Sequence, residues 1–229
     1  MTGSDRGAVR QPEDRLVIHQ LDANVTTPQL SDALDMIGRR AQTMEAAIVP
    51  LALGSRAVGR AATVQFAPVD HDVDEPYDAA IAFIDGLSVG AVAVISSGGS
   101  TRSGFWGELF SAAAIGRGAT GVVCDGYARD SGKVRAMGFP VFAAGTRPID
   151  FRARMEITGR DRPVICGGVL VSPGDLILAD DDGVVVVPQE VETQAVAFAN
   201  EKAARENVVL EELRGGATLR SVWDRHRVL

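Results

Sequence analysis

The sequence predicts one α/β domain over residues 15–188, a helical C-terminal arm over 189–229 and a flexible leader over 1–14. Two observations point there. Helix-patterned and strand-patterned segments alternate through the middle of the chain, whereas the segment after residue 188 is helix-patterned almost throughout. The composition is rich in Ala, Val and Gly while aromatics make up only 5%, which suits closely packed α/β layers better than an all-β sandwich. At 229 residues and 46% hydrophobic, the chain can build a sizeable core and is long enough for one ordinary domain. It contains no internal repeat.

Taken in order, residues 1–14 (MTGSDRGAVRQPED) are polar and lack the apolar stretch of a signal peptide. Thr27-Pro28 starts a helix, with Thr as the cap and Pro at the first helical position. Its body, QLSDALDMIGRR, places Leu30, Leu34 and Ile37 on one face. AIVPLAL and AVGRAATVQF have strand character, with a bend suggested at Gly59-Arg60. PYDAAIAFIDGL reads as a short helix ended by Gly86, GAVAVIS as a buried strand, and SSGGSTRSG (96–104) as a flexible loop. FPVFAAG is a further strand. Across 151–188 strand-like runs alternate with turns, of which PGD (173–175) and DDDG (180–183) are the clearest. QEVETQAVAFANEKAARENVVLEELRGG is a long helix that breaks at Gly215-Gly216, and a short tail follows.

A net charge of −7 and a pI of 5.0 argue against nucleic acid as a partner, because phosphate binding needs a basic face. Cys124 and Cys166 form neither a CxxC pair nor a disulfide framework, which fits a reducing cytoplasm. No apolar run is long enough to span a membrane, so no membrane partner is expected.

The most informative stretch is WGELFSAAAIGRGATGVVCDGYARD, residues 106–130. The Ala-rich run from about 107 to 117 is a strong helix former, with Gly118 where a C-terminal cap belongs. GVVC reads as a short buried strand, and DGY as the turn at its end. Such a helix rises roughly 15 Å, and a strand of five or six residues returns roughly 17–20 Å. If the two run antiparallel, Glu108 meets Arg129 and Asp130 at one end, beside the free N–H groups of the helix start. Two carboxylates, an arginine and backbone amides suit Mg²⁺ or Mn²⁺ together with a small carboxylate ligand. The plainer alternative is a surface salt bridge between Arg129 and Glu108, with Asp130 as a turn residue.

This segment resembles the RraA-like family, which includes class II aldolases for 4-hydroxy-4-methyl-2-oxoglutarate and 4-carboxy-4-hydroxy-2-oxoadipate. The family motif is an acid, twenty residues, then Arg-Asp, and twenty residues separate Glu108 from Arg129-Asp130 here. LSDAL (30–34), VGRAATV (58–64), GFPVFAAG (138–145) and VSPGDLILADDDGVVVVP (171–188) extend the likeness over nearly the whole chain after the leader. The resemblance implies a swivelling β/β/α sandwich assembled as homotrimers or paired trimers, with sites between subunits. It implies Asp130 as the metal residue, Arg129 as the holder of a pyruvate moiety, and Gly107, Glu108, Leu109 and Phe110 as the substrate-lining segment. It also implies a C-terminal acid from a neighbouring subunit, best matched by Glu206, with Glu201 and Glu211 as alternatives. Glu206 has an ordinary explanation beside that one, an i,i+4 pair with Lys202. Many aldolase members have Asp at the position of Glu108.

The implied reaction is Mg²⁺- or Mn²⁺-dependent retro-aldol cleavage of a 4-hydroxy-2-keto acid to pyruvate, with oxaloacetate decarboxylation as a companion activity. Lys133 reads as exposed in a turn, so a Schiff base is unattractive, and no general base stands out. The alternative within the family is a non-catalytic regulator that binds a ribonuclease. Four other motifs carry less. GRGATG (116–121) runs from helix end to strand, the reverse of a dinucleotide site. DHDVDE (70–75) reads as a solvated acidic loop and DDDG as a hairpin turn, and His19 and His226 as surface or structural residues.

Overall fold

The computed structural model describes residues 20–45 and 47–228, so the expected leader and His19 lie outside the described residues. The elements run α1 (Thr27–Met36), β1 (Val49–Pro50), β2 (Ala57–Pro68), α2 (Asp78–Asp85), β3 (Ala91–Ser96), β4 (Gly104–Trp106), α3 (Glu108–Gly116) and β5 (Gly121–Ala128). They continue with α4 (Ser131–Met137), β6 (Val141–Thr146), β7 (Met155–Arg160), β8 (Val164–Cys166), β9 (Val169–Val171), β10 (Leu176–Asp180), β11 (Gly183–Val187), α5 (Glu192–Arg214) and α6 (Leu219–His226).

Nine strands form one sheet in the order β1-β6-β5-β3-β2-β10-β11, with β4 added beside β5 and β7 beside β2. The centre, β2-β3-β5-β6, is parallel, with the helical crossovers that parallel neighbours need, whereas β10 and β11 form an antiparallel hairpin. Period-2 alternation sorts the strand residues between faces. On one face Ala93, Ile95, Val122 and Cys124 meet Phe83, Ala114 and Val134 of the helices. On the other, Val92, Val94, Val123 and Phe142 meet the small β8–β9 hairpin through Val164, Cys166, Val169 and Val171. A third cluster seats α1 and α5 on β10–β11. Helices, main sheet and second sheet give the expected β/β/α layering. Arg60 of β2 pairs with Glu192, both buried, and so ties the start of α5 to the sheet.

Several local expectations are corrected. Thr26, not Thr27, is the cap of α1: its N–H donates to Gln29 Oε1 at 2.9 Å, and Pro28 takes the second helical position. AIVPLAL supplies only the two-residue β1. Strand β2 runs through Gly59-Arg60 without a break, and its register shift falls at Gln65/Phe66. Gly59 is needed for closeness, not for a bend: a Cβ there would lie 2.3 Å from the Gly90 carbonyl oxygen and 2.7 Å from Thr120 Oγ1. DGY is not a turn either. It lies inside β5, where the register with β6 shifts between Cys124 and Tyr127. The tail beyond Gly215-Gly216 is the helix α6, capped by Thr218. DDDG does close a hairpin, with Asp180 paired to Gly183, and GRGATG does run from α3 into β5.

Among the described residues no helix is long and apolar enough to cross a membrane. Both cysteines are buried and unbridged, on opposite faces of the sheet.

Candidate functional site

The site begins with the parallel pairing of β4 and β5. Gly104 and Trp106 pair with Tyr127 and Ala128, and the Arg129 N–H donates to the Trp106 carbonyl at 2.7 Å. Trp106 is buried, and its Nε1–H donates to Ser111 Oγ (2.8 Å), which in turn donates to the Gly107 carbonyl (2.9 Å). The indole therefore fixes the first turn of α3 against the end of β5. α3 and β5 run in opposite senses, so Glu108 and Arg129-Asp130 arrive at the same end, as the spacing predicted.

Gly107 is what lets them touch. A Cβ there would stand 2.6 Å from Asp130 Oδ2 and 3.0 Å from Arg129 Cγ. The Glu108 N–H points at Asp130 Oδ2 at 3.3 Å. Asp130 itself caps α4 with φ 55° and ψ 30°, a left-handed conformation that Asp tolerates better than most residues. A strained backbone of this kind, kept at a helix start and lining a cavity, marks a candidate functional position.

Arg129 is clamped from two sides. Its Nη1 meets Asp150 Oδ2 at 2.5 Å and its Nε meets Asp130 Oδ2 at 3.5 Å, while Nη2 makes no hydrogen bond among the described residues. The alternative of an Arg129–Glu108 salt bridge is therefore corrected. Glu108 pairs instead with Lys133 at 2.7 Å, and Lys133 stands on α4, not in a turn. The pair raises the Lys133 ammonium above its usual range, chiefly through the Glu108 hydrogen bond.

Asp150 is the residue that sequence reading missed. It follows β6 at the end of the TRPID stretch, where it forms an isolated parallel bridge with Gly104, and carries no local motif. Burial works to raise its carboxyl, but the Arg152 N–H, the Arg129 guanidinium and Tyr77 outweigh burial and hold it below the ordinary value of 3.8. Tyr77 is pushed the other way, by burial first and then by Asp150, so its phenol stays protonated. A carboxyl depressed on folding contributes stability that is complete above 3.8 and is lost as the pH falls through the folded value. Asp150→Asn is therefore expected to cost about 1 kcal/mol at neutral pH, and the deficit should shrink on acidification below the ordinary aspartate range. Denaturant titrations of both proteins at several pH values check this, and a pH-independent deficit would show that the pair does not carry the effect.

Glu108, Leu109, Phe110, Gly107, Arg129, Asp130 and Asp150 line one cavity of about 620 Å³, together with Tyr77, Ile81, Gly104, Phe105, Trp106 and Phe151. The loop 96–104 is divided between two cavities. Gly104 lines this cavity, whereas Gly98 and Gly99 line a second one, of about 550 Å³, with Ser96 and Asp125. Glu206 does not line the cavity within the chain: it pairs with Lys202 at 2.9 Å and accepts from Gln29 Nε2 at 2.6 Å. Glu201 and Glu211 pair with Arg205 and Arg214 on the same helix, and His226 pairs with Glu212. The acidic loop 70–75 is irregular, and its His71 lies 3.4 Å from the neighbouring Asp70 carboxylate.

The donor set at the cavity is all oxygen, without His or Cys. Among the described residues no three His, Cys, Asp or Glu side chains converge to enclose a metal ion. An all-oxygen donor set fits Mg²⁺, which keeps several waters and takes one or two carboxylates plus substrate oxygens. Asp130, with Glu108 beside it, fits that part.

The model of the RraA-like family, described as Aldolase/RraA, matches residues 27–186. A Halalkalibacterium halodurans protein named "Putative 4-hydroxy-4-methyl-2-oxoglutarate aldolase" is 34% identical over 182 residues, 79% of this chain and 80% of that one. Protein DlpA of Legionella pneumophila is 32% identical over 179 residues, 76% of this chain, which spans only 29% of DlpA's length. The crystal structure of Streptomyces coelicolor RraAS2, described as an unusual member of the RNase ES inhibitor RraA family, superposes with a TM-score of 0.78 at 31% identity. It covers 87% of this chain and 98% of that one. On its sequence, its fold and the match across most of its length, the chain belongs to the RraA-like family.

Proposed function

We propose that the protein is a carbon–carbon lyase that cleaves a 4-hydroxy-2-keto acid to pyruvate with the help of Mg²⁺ or Mn²⁺. The observation that carries this reading is the seating of Arg129-Asp130 on the first turn of α3, which gathers a guanidinium, carboxylates and helix-start amides around one cavity. The similarity to the H. halodurans protein supports the same class. Assembly as a trimer or paired trimers, with Glu206 reaching a neighbouring site, belongs to this proposal too.

Arg129 binds the substrate carboxylate through the edge that Asp130 and Asp150 leave open. The N–H groups of Leu109 and Phe110, in the first helical turn, have no carbonyl partner within α3 and face the developing oxyanion. Asp130, with Glu108, holds the divalent cation, which when bound acts as a Lewis acid toward the keto-acid oxygens. The C4 hydroxyl gives up its proton to water, the C3–C4 bond breaks, and its electron pair passes to the pyruvate fragment. The C4 carbon leaves as a carbonyl compound, and the pyruvate enolate takes a proton from water at C3. Oxaloacetate would reach the same enolate by losing carbon dioxide.

Pyruvate release is measured from oxaloacetate and from 4-hydroxy-4-methyl-2-oxoglutarate, at concentrations up to several millimolar, with Mg²⁺, with Mn²⁺ and with chelator. Release above the metal-only rate, abolished by chelator, is expected. No release from either would overturn the lyase reading and turn attention to protein-binding regulation, the role stated for the S. coelicolor relative's family.

A further inference from the structure

The charges around the cavity suit a substrate with an acid at one end only. We infer that the physiological ligand is a 2-keto acid whose far end is an aliphatic or aromatic group. The inference deepens the keto-acid reading of Arg129 and Asp130 and rests on it.

Arg129 is the one cationic residue lining the cavity, against the carboxylates of Glu108, Asp130 and Asp150. Lys133 offsets Glu108 from outside the lining, so Arg129 and a bound divalent cation face Asp130 and Asp150, and the head-group carboxylate of a keto acid takes up the remaining positive charge. A second carboxylate would then find no cation in the lining. Outside the lining, Lys133 is taken by Glu108, Arg152 lies 3.7 Å from Asp72, and Arg102, Arg147 and Arg154 donate to backbone carbonyls. Desolvating an unpaired carboxylate is costly.

What the cavity does offer beyond its polar corner is apolar surface. Phe151 stands edge-on to Tyr77 with ring centroids 5.5 Å apart, and Phe110 lies 6.5 Å from Phe151 on another side. Ile81 and Leu109 extend this surface to the mouth, where they are 51% and 78% exposed. Large apolar side chains converging on a cavity gain from a ligand that covers them. A volume of about 620 Å³ also exceeds what pyruvate with a small polar branch fills, and lies in the range of sites for larger ligands. On this reading 4-hydroxy-4-methyl-2-oxoglutarate, with a carboxylate at each end, is among the poorer substrates.

The test compares two ligands with the same head and different far ends, 4-phenyl-2-oxobutanoate and 2-oxoglutarate. Both are titrated calorimetrically into the assembled protein with Mg²⁺ present. The phenyl compound is expected to bind at least ~10-fold tighter, the step that about 1.4 kcal/mol gives. Ile81→Arg, which places a cation at the mouth without touching the core, is expected to tighten 2-oxoglutarate several-fold and narrow the gap. Equal or tighter binding of 2-oxoglutarate to the unaltered protein would overturn the inference, as would failure of both ligands to bind at millimolar concentration. An Ile81→Arg protein with an unchanged ratio would remove the preference from this cavity and overturn it as well. Because binding is read without turnover, a phenyl preference in a protein that releases no pyruvate would retire the lyase reading alone. Pyruvate release together with a 2-oxoglutarate preference would retire this inference alone.

Discussion

Exchanging Arg129 for lysine is expected to lower kcat/KM for pyruvate release by about 100-fold or more, with the melting temperature little changed. The reason is geometric. Arg129 reaches Asp150 through Nη1 at 2.5 Å and Asp130 through Nε at 3.5 Å, and its Nη2 makes no hydrogen bond among the described residues. These three directions come from one rigid plane, and a lysine ammonium supplies a single charge on a flexible stem. It can satisfy one acid or the substrate carboxylate, not all of them. Steady-state kinetics with saturating Mg²⁺ makes the measurement, and a variant retaining more than a tenth of the original kcat/KM would show that the planar fork is not needed.

The second large effect is expected at Asp130. Asp130→Asn should lose Mg²⁺-dependent turnover by about 1000-fold, the scale of removing a principal electrostatic group, while the fold persists. Asparagine keeps the shape, tolerates φ 55° and can still accept from the Glu108 N–H, so only the negative charge is lost. Asp130→Ala should lose turnover too, with an added cost of about 1–2 kcal/mol because alanine is strained in the left-handed region. Comparing the two variants separates backbone strain from charge. An asparagine variant with undiminished metal-dependent turnover would remove Asp130 from the metal-side role.

Both predictions start from a segment that could be read before any fold was known. Helix and strand have fixed rises per residue, so their lengths allow Glu108 to come back to Arg129-Asp130 once the strand returns antiparallel to the helix, although the strand is longer than the sequence suggests, Gly121–Ala128. The DDDG hairpin and the helical arm followed from local chemistry in the same way. The misreadings share a cause. Gly59 was taken for a bend and DGY for a turn, since small residues signal both flexibility and close approach. At Gly59 the backbone of Gly90 presses on the strand. At Gly126 a Cβ would meet the Phe105 ring at 2.6 Å. Neither neighbour is adjacent in sequence.

The sequence by itself determined the α/β class and the long C-terminal helix, because each depends on periodicity along one continuous element, whereas the meeting of acid with Arg-Asp also needed the helix and strand to run in opposite senses. Tertiary structure alone decided which acid holds Arg129. Asp150 comes from an irregular stretch beyond β6 and reaches the guanidinium through the parallel bridge beside Gly104, while Lys133 takes Glu108 away from it. Pairing partners of this kind are set by how separate elements dock, and no pattern within a single element records that docking.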